Sequence, residues 1–172
     1  MGVAAFFGMF AGIYHWFLRM YGRMMNTTMA YIHFAITFIG AYMIFWPMHF
    51  LGLSGVPRRY YSFNEIEAFS QYATTNQVIS IATIIVFLGQ ILFVINFFWS
   101  MYKGKKATQN PWEANTLEWT SPIEGIHGNW DGELPTVHRW PYDYSKDPDS
   151  DTDFIPQTVP LTEKELSDKT HH

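Results

Sequence analysis

Two long uncharged apolar runs constrain this chain more than any other feature of its sequence. Residues 29–51 and 78–102 contain no Asp, Glu, Lys or Arg. At a rise of about 1.5 Å per residue, each run reaches roughly 35 Å as a helix, enough to cross a hydrocarbon core of about 30 Å. A buried helix of a water-soluble protein is seldom this long and apolar on all sides. Both runs therefore predict transmembrane helices.

A third apolar segment occupies residues 1–18. It lacks the basic start and the small-residue cleavage site of a signal peptide. Ala4, Gly8 and Gly12 recur every four residues, and such a smooth face lets another helix pack closely. We expect a membrane helix here as well.

The predicted fold is an all-α membrane protein in which three transmembrane helices precede an irregular polar tail. The membrane part is predicted over residues 1–102 and the tail over residues 103–172. A brief helical turn is expected near residues 64–69, with Asn64 as its cap. The seven prolines of the tail disfavour long helices, and its tryptophans are expected to anchor it at intervals. The three helices are expected at about residues 1–18, 28–51 and 74–102.

The orientation of the helices follows from the basic residues. Arg19 and Arg23 follow the first helix, and three lysines lie at residues 103–106 after the third. With three crossings both groups lie on one side, which the positive-inside rule makes the cytoplasm. We therefore expect the tail on the cytoplasmic side and the loop at residues 52–76 on the opposite side.

Charge and cysteine content exclude several classes of function. Residues 1–102 carry four basic and two acidic side chains, and residues 103–172 carry seven basic and thirteen acidic ones. The chain therefore has no basic surface large enough to bind nucleic acid. The chain has no cysteine, which excludes disulfides and thiolate metal sites.

Two adjacent arginines on the outward side need an anionic partner. Arg58 and Arg59 follow Pro57, with Gly52 and Gly55 just before it, so the turn is short and stiff. One interpretation is an interfacial anchor that reaches lipid phosphates. Guanidinium groups also form bidentate bonds to carboxylates, and adjacent side chains can serve two acidic groups placed side by side. A rigid pair at membrane depth favours a buried polyanionic cofactor over fluid lipid.

The end of the second apolar run reads PMHFLGLSGVPRR at residues 47–59. This block resembles the end of the next-to-last membrane helix, and the loop after it, in subunit I of haem-copper oxidases of the cytochrome c oxidase type. The resemblance implies that Arg58 and Arg59 bond the propionates of two haems, and it extends over about residues 1–147. Further matching segments are FGMFAGIYHWF (7–17), NPWEANTLEW (110–119) and HRWPYDYS (138–145).

The resemblance also implies a function for the complete subunit. This is a respiratory terminal oxidase that reduces oxygen to water with electrons from cytochrome c and couples the reaction to proton pumping. The implied cofactors are two haems and copper. The implied partners are the remainder of subunit I, oxidase subunits II and III, cytochrome c and the lipid bilayer of a bacterial inner membrane. The family's haem and copper ligands precede the matching segments, so we expect a carboxy-terminal part of the subunit, inactive alone, with no catalytic or metal-ligating residue.

Two alternatives stay open on the sequence alone. A small three-helix membrane protein could serve as a non-catalytic scaffold or assembly factor. An oxidase could also take its electrons from quinol in place of cytochrome c.

Overall fold

Three long helices dominate the computed structural model. It describes residues 2–57, 59, 67–122, 129–130, 132–144, 153–163 and 165–166. Over these ranges no strand is present, and the predicted all-α class is confirmed. Three of the helices are long and apolar enough to cross a membrane. The helices are α1 (Gly2–Tyr21), α2 (Thr27–Leu53), α3 (Glu67–Ser70) and α4 (Ala73–Lys103), with a 3-10 helix at Leu117–Thr120.

The membrane helices are slightly longer than the apolar runs predict, and the loop after α2 contains the short α3. The predicted turn near residues 64–69 overlaps α3. Its proposed cap, Asn64, lies outside the described residues.

The start of α2 is fixed by a buried polar cluster. The Asn26 side chain accepts the backbone N–H of Met29 at 3.0 Å and so caps the helix. The Asn26 backbone N–H donates to Asn96 Oδ1 and to Ser100 Oγ, each at 3.1 Å, and Asn96 Nδ2 donates to the Asn26 carbonyl at 3.1 Å. Asn96 and Ser100 are fully buried on α4. The turn before α2 is thereby tied to α4.

Helices α2 and α4 pack closely because each presents a buried glycine to the other. A Cβ added at Gly40 would collide with the Val86 side chain, and one added at Gly89 would come within 2.8 Å of Ile36 Cγ2. Small residues at such contacts let helix backbones approach in lipid, where dispersion and hydrogen bonds drive association. The two glycines therefore set the α2–α4 spacing.

The segments that follow α1 and α4 are paired through their backbones. Met24 N–H donates to the Lys105 carbonyl at 2.8 Å, and Ala107 N–H donates to the Gly22 carbonyl at 3.0 Å. Gly104 is required here, because a Cβ on it would lie 2.6 Å from the Met24 carbonyl oxygen. The segment after α1 is thus bonded to the segment after α4 within each compact unit.

The chain divides into two compact units: Met1–Trp16 with Met24–Lys105, and Phe17–Arg23 with Lys106–His172. The second unit contains the tail, and Arg139 is its buried centre. The Arg139 guanidinium donates to both Glu165 carboxylate oxygens at 2.7 Å. It also donates to the carbonyls of Val159 and Pro160, each at 3.0 Å, and lies 3.5 Å from Asp143. One cation therefore joins residues 139–143 to residues 159–165 of the tail.

Two buried amides complete the tail. Asn115 accepts the Ile155 N–H at 2.9 Å, and Gln157 accepts the Leu117 N–H at 2.9 Å. Gln157 Nε2 donates to the Arg139 carbonyl at 2.9 Å. These side chains replace the backbone ladder that an irregular segment lacks.

Fewer tryptophans of the described tail are buried than the sequence predicts. Trp119 is 2% exposed, but Trp140 is 67% exposed. The other buried residues of the described tail are polar: Asn115, Arg139 and Gln157. An irregular backbone needs such hydrogen-bond partners.

We predict that Gly89→Ala destabilises the α2–α4 pair by about 1–3 kcal/mol, the usual cost of overpacking. The added methyl meets Ile36, whose β-branched side chain has little freedom to move. Thermal unfolding of the chain in detergent, followed by circular dichroism, measures the effect. Gly8→Ala on α1 is the control, because a Cβ there meets nothing within 4 Å. Equal melting temperatures for the two variants would contradict the close contact.

We predict that Glu165→Gln weakens the tail at neutral pH but not in acid. Hydrogen bonds from Arg139, and then from Thr162, hold the pKa of the Glu165 carboxyl far below its usual range. The folded tail thus binds this proton less readily than the unfolded chain, so the stabilisation is complete above the ordinary Glu pKa of about 4.3 and is lost as pH falls below it.

Hydrogen exchange at the His138 and Arg139 amides, which donate to the Gln157 carbonyl, reports on this stabilisation. We expect Glu165→Gln to lower their protection at pH 7, and the difference from the parent to start shrinking below about pH 4 and to close only near the much lower folded pKa. Glu163→Gln is the matched control, since Glu163 forms no ion pair with any described residue. A constant difference across the pH range would refute the assignment.

Candidate cofactor-binding site

Helix α2 ends in a capping turn that contains Gly55 and sets the direction of the backbone after it. Gly55 has φ 81°, a left-handed conformation that glycine adopts without a steric penalty. Its N–H donates to the Gly52 carbonyl, and Val56 N–H donates to the Leu51 carbonyl, both at 3.1 Å. This pair of bonds is the Schellman motif, and Pro57 after it prevents the helix from continuing.

Arg59 follows this turn in a strained backbone conformation. Its φ is 62°, in the left-handed region that costs a residue with a Cβ about 1–2 kcal/mol. Its side chain is exposed and pairs with no carboxylate among the described residues. Arg58, the other predicted site residue, lies outside the described residues.

Arg59 lines a cavity of about 890 Å³, which we call the arginine cleft. Three polar side chains of different chemistry reach it: His49, Arg59 and Asn76. All three can donate hydrogen bonds, and no acidic residue is among the described residues of its wall. The remaining wall is apolar or backbone: Phe45, Met48, Leu51, Gly52, Leu53, Val56, Pro57 and Ile79.

A second cavity, the aromatic groove, has a volume of about 550 Å³ and shares Phe45 and His49 with the arginine cleft. Its floor is a ladder of rings spaced four residues apart along α2. Phe34 and Phe38 stack with their centroids 5.6 Å apart, and Phe38 and Tyr42 meet edge to face at 5.2 Å. The lining residues are Val3, Ala4, Phe7, Phe34, Phe38, Ala41, Tyr42, Phe45, Trp46 and His49. An apolar groove thus leads to a cationic cleft.

Deeper in the helices, a directional hydrogen-bond chain crosses α1, α2 and α4. His33 Nε2 lies 3.2 Å from Gln90 Oε1, which only accepts, so the ring carries its proton on Nε2. Its Nδ1 then accepts from the Tyr14 hydroxyl at 3.3 Å, and Gln90 Nε2 donates to Thr37 Oγ1 at 3.0 Å. His33 is 2% exposed. Every member has a partner, which is the expected state of polar groups in hydrocarbon.

Sequence analysis singled out Arg59, which lines the arginine cleft, but it predicted neither the place of His49 in the same wall nor the Gln90 chain. Gln90 and Asn96 are the most polar members of the apolar run at residues 78–102. A single amide in such a run is a signal for an interhelical bond. The role of His49 depends on a cavity wall that residue spacing does not reveal. No three His, Asp or Glu side chains of the described ranges gather as a metal site.

Comparison of the sequence with known proteins places this chain in a family. Residues 1–85 match the family described as Cytochrome C and Quinol oxidase polypeptide I. The alternative cytochrome c oxidase subunit 1 of Bradyrhizobium diazoefficiens is 44% identical over 162 residues, which are 93% of this chain and 27% of that protein. Cytochrome c oxidase subunit 1 of Thermostichus vulcanus is 42% identical over 80% of this chain and 24% of its own length. That of Synechocystis is 41% identical over 82% of this chain and 24% of its own length.

The chain belongs to the cytochrome c and quinol oxidase polypeptide I family. It spans about a quarter of the length of the curated relatives it matches. Family membership and the three apolar helices make it a multi-pass membrane protein of a terminal oxidase family. The predicted resemblance is confirmed.

We predict that Gln90→Leu lowers the stability of the membrane part by about 1–3 kcal/mol, since it leaves the buried His33 Nε2–H without an acceptor. The measurement is thermal unfolding in detergent. Thr83→Val is the control, because the Thr83 hydroxyl donates only to the Ile79 carbonyl of its own helix, at 2.8 Å. If both variants melt alike, the Gln90 chain does not hold the helices together.

Proposed function

We propose that this chain forms one wall of the haem site in subunit I of a respiratory terminal oxidase, where Arg58 and Arg59 bind haem propionates. The observation that carries the proposal is the position of Arg59. It lines a cleft with apolar walls, its backbone is strained, and no described acidic residue pairs with it.

The donor set of the arginine cleft fits a propionate-bearing group. A planar apolar molecule with an acidic edge needs apolar walls and a cluster of donors at one end. The arginine cleft offers guanidinium, imidazole and amide groups without a described carboxylate, and the aromatic groove adjoins it at Phe45 and His49. Guanidinium is the side chain best suited to bidentate binding of carboxylate.

The arginines contribute fixed positive charge to this site. When bound, haem supplies the reversible one-electron chemistry of its iron, and the copper of the complete enzyme is held by residues outside this chain. A guanidinium near the haem stabilises the extra negative charge of the reduced state and opposes protonation of a propionate. Because Arg stays charged at all physiological pH values, this stabilisation is permanent.

We extend the proposal to the complete oxidase on the strength of the family and the names of its relatives. In it, this sequence contributes the carboxy-terminal helices over residues 1–102, and residues 103–172 form a tail on the cytoplasmic face of a bacterial inner membrane. The complete subunit reduces oxygen to water and pumps protons together with subunits II and III. Taken alone, this part should be inactive.

Cytochrome c is the proposed electron donor, since the three relatives named above are cytochrome c oxidases. The family description also includes quinol oxidases. Oxidation assays of the assembled enzyme with reduced cytochrome c and with quinol distinguish the two. If the assembled subunit carries haem, the non-catalytic scaffold alternative is wrong.

We predict that Arg59→Gln, in the full-length subunit, lowers a haem midpoint potential. Coulomb's law with an effective dielectric constant of about 20 gives about 1.7 kcal/mol for unit charges about 10 Å apart, or roughly 70 mV for one electron. Arg59→Lys should recover only part of the loss, because a point donor cannot form the bidentate pair. Spectroelectrochemical titration of the assembled oxidase measures the potential.

Lys103→Gln is the matched control for loss of one positive charge, since Lys103 ends α4 and Asn76, near its start, lines the arginine cleft. Arg58→Gln tests the other predicted residue in the same way. Unchanged potentials in Arg58→Gln and Arg59→Gln would refute the propionate role and favour the lipid-anchor interpretation.

A further inference from the structure

His49 has one ring nitrogen fixed by its own helix and the other left available. His49 Nδ1 lies 2.7 Å from the Phe45 carbonyl. A carbonyl only accepts, so Nδ1 carries a proton and donates it. The side chain is exposed on α2, and its Nε2 has no hydrogen-bond partner among the described residues. The bond to Phe45 therefore fixes the ring and leaves Nε2 free to bind.

The His49 ring stands where the two cavities meet. It lines the arginine cleft together with Arg59 and also lines the aromatic groove. Among the described residues of both walls, the ionisable side chains are His49 and Arg59 in the cleft and Tyr42 in the groove. The wall residues from α1 and α4 carry no ionisable group. A ligand edge held by Arg59 in the cleft thus shares that cavity with His49.

We propose that His49 is a further binding residue for the carboxylate-bearing edge that Arg59 holds, and that it exchanges a proton with that edge through Nε2. This inference rests on the proposed function. In one state the neutral ring accepts the O–H of a carboxylic acid at Nε2. In the other, the proton has moved to Nε2 and the imidazolium donates to the carboxylate. Both states contain the same atoms and one shared proton, which solvent supplies to a third state made of the neutral ring and the carboxylate.

His49 gives the site a property that Arg59 cannot give. The guanidinium stays protonated at all working pH values, whereas an imidazole can change its charge near neutrality. Proton uptake by the imidazole–carboxylate pair adds one positive charge beside the redox centre. Because that uptake depends on the electron already present, the midpoint potential acquires a pH dependence to which His49 contributes.

The test is a redox titration of the assembled oxidase from about pH 6 to about pH 9, the range in which imidazole groups commonly titrate. His49→Phe keeps a flat ring and removes both nitrogens, and His49→Gln keeps hydrogen-bonding ability without a titratable group. We expect both variants to show a shallower dependence of the haem potential on pH than the parent. His138→Phe is the matched control, since it makes the same change on the exposed tail, and the parent slope is expected there.

The outcomes separate this inference from the proposed function. If Arg59→Gln shifts the potential but both His49 variants keep the parent slope, the His49 role is overturned and the proposed function stands. Unchanged potentials and slopes in every variant overturn both. A less stable oxidase with the parent slope shows that the ring only packs, which also overturns the inference. If His49→Phe fails to assemble, His49→Gln decides.

Discussion

The close contact between α2 and α4 is the constraint on which the rest of the membrane part depends. Gly40 and Gly89 remove the side chains that would separate these helices. At that spacing Gln90 reaches His33, and residues near the start of α4, including Asn76, reach the wall of the arginine cleft. Hydrocarbon offers no hydrophobic drive for helices to associate, so this shape match and the polar bonds that it permits hold the pair.

Polar groups within the membrane helices fall into two classes by their partners. His33 and Gln90 are buried or half-buried and bonded, as are Asn96 and Ser100 at the other cluster. His49 Nε2, in contrast, has no partner among the described residues. An unpaired polar group in hydrocarbon is costly. The bonds within the two paired clusters avoid that cost, so helix packing alone explains them. The ligand proposed for the arginine cleft would supply the partner that His49 Nε2 lacks among the described residues.

The sequence predicts features that depend on local composition and fails where distant residues must meet. Three helices follow from uncharged runs because each run satisfies its own backbone hydrogen bonds. Arg59 follows from its charge in an apolar context and from the motif around it. Arg139 as the centre of the tail could not be foreseen, since its partner Glu165 lies 26 residues away in an irregular segment. The left-handed backbone of Arg59 also cannot be predicted from composition.

The end of α2 shows why two arginines suit this position. A helix C-terminus carries a partial negative charge from its unbonded carbonyls, which disfavours a carboxylate nearby. Here the Phe50, Leu51 and Gly52 carbonyls accept bonds from Ser54, Val56 and Gly55, so the capping turn reduces that repulsion. A cation placed directly after the turn then reverses the sign of the local field. Under the proposed function, doubling the charge would let two acidic groups approach a helix end that would otherwise repel both, and the left-handed backbone of Arg59 is a strain that this gain would offset.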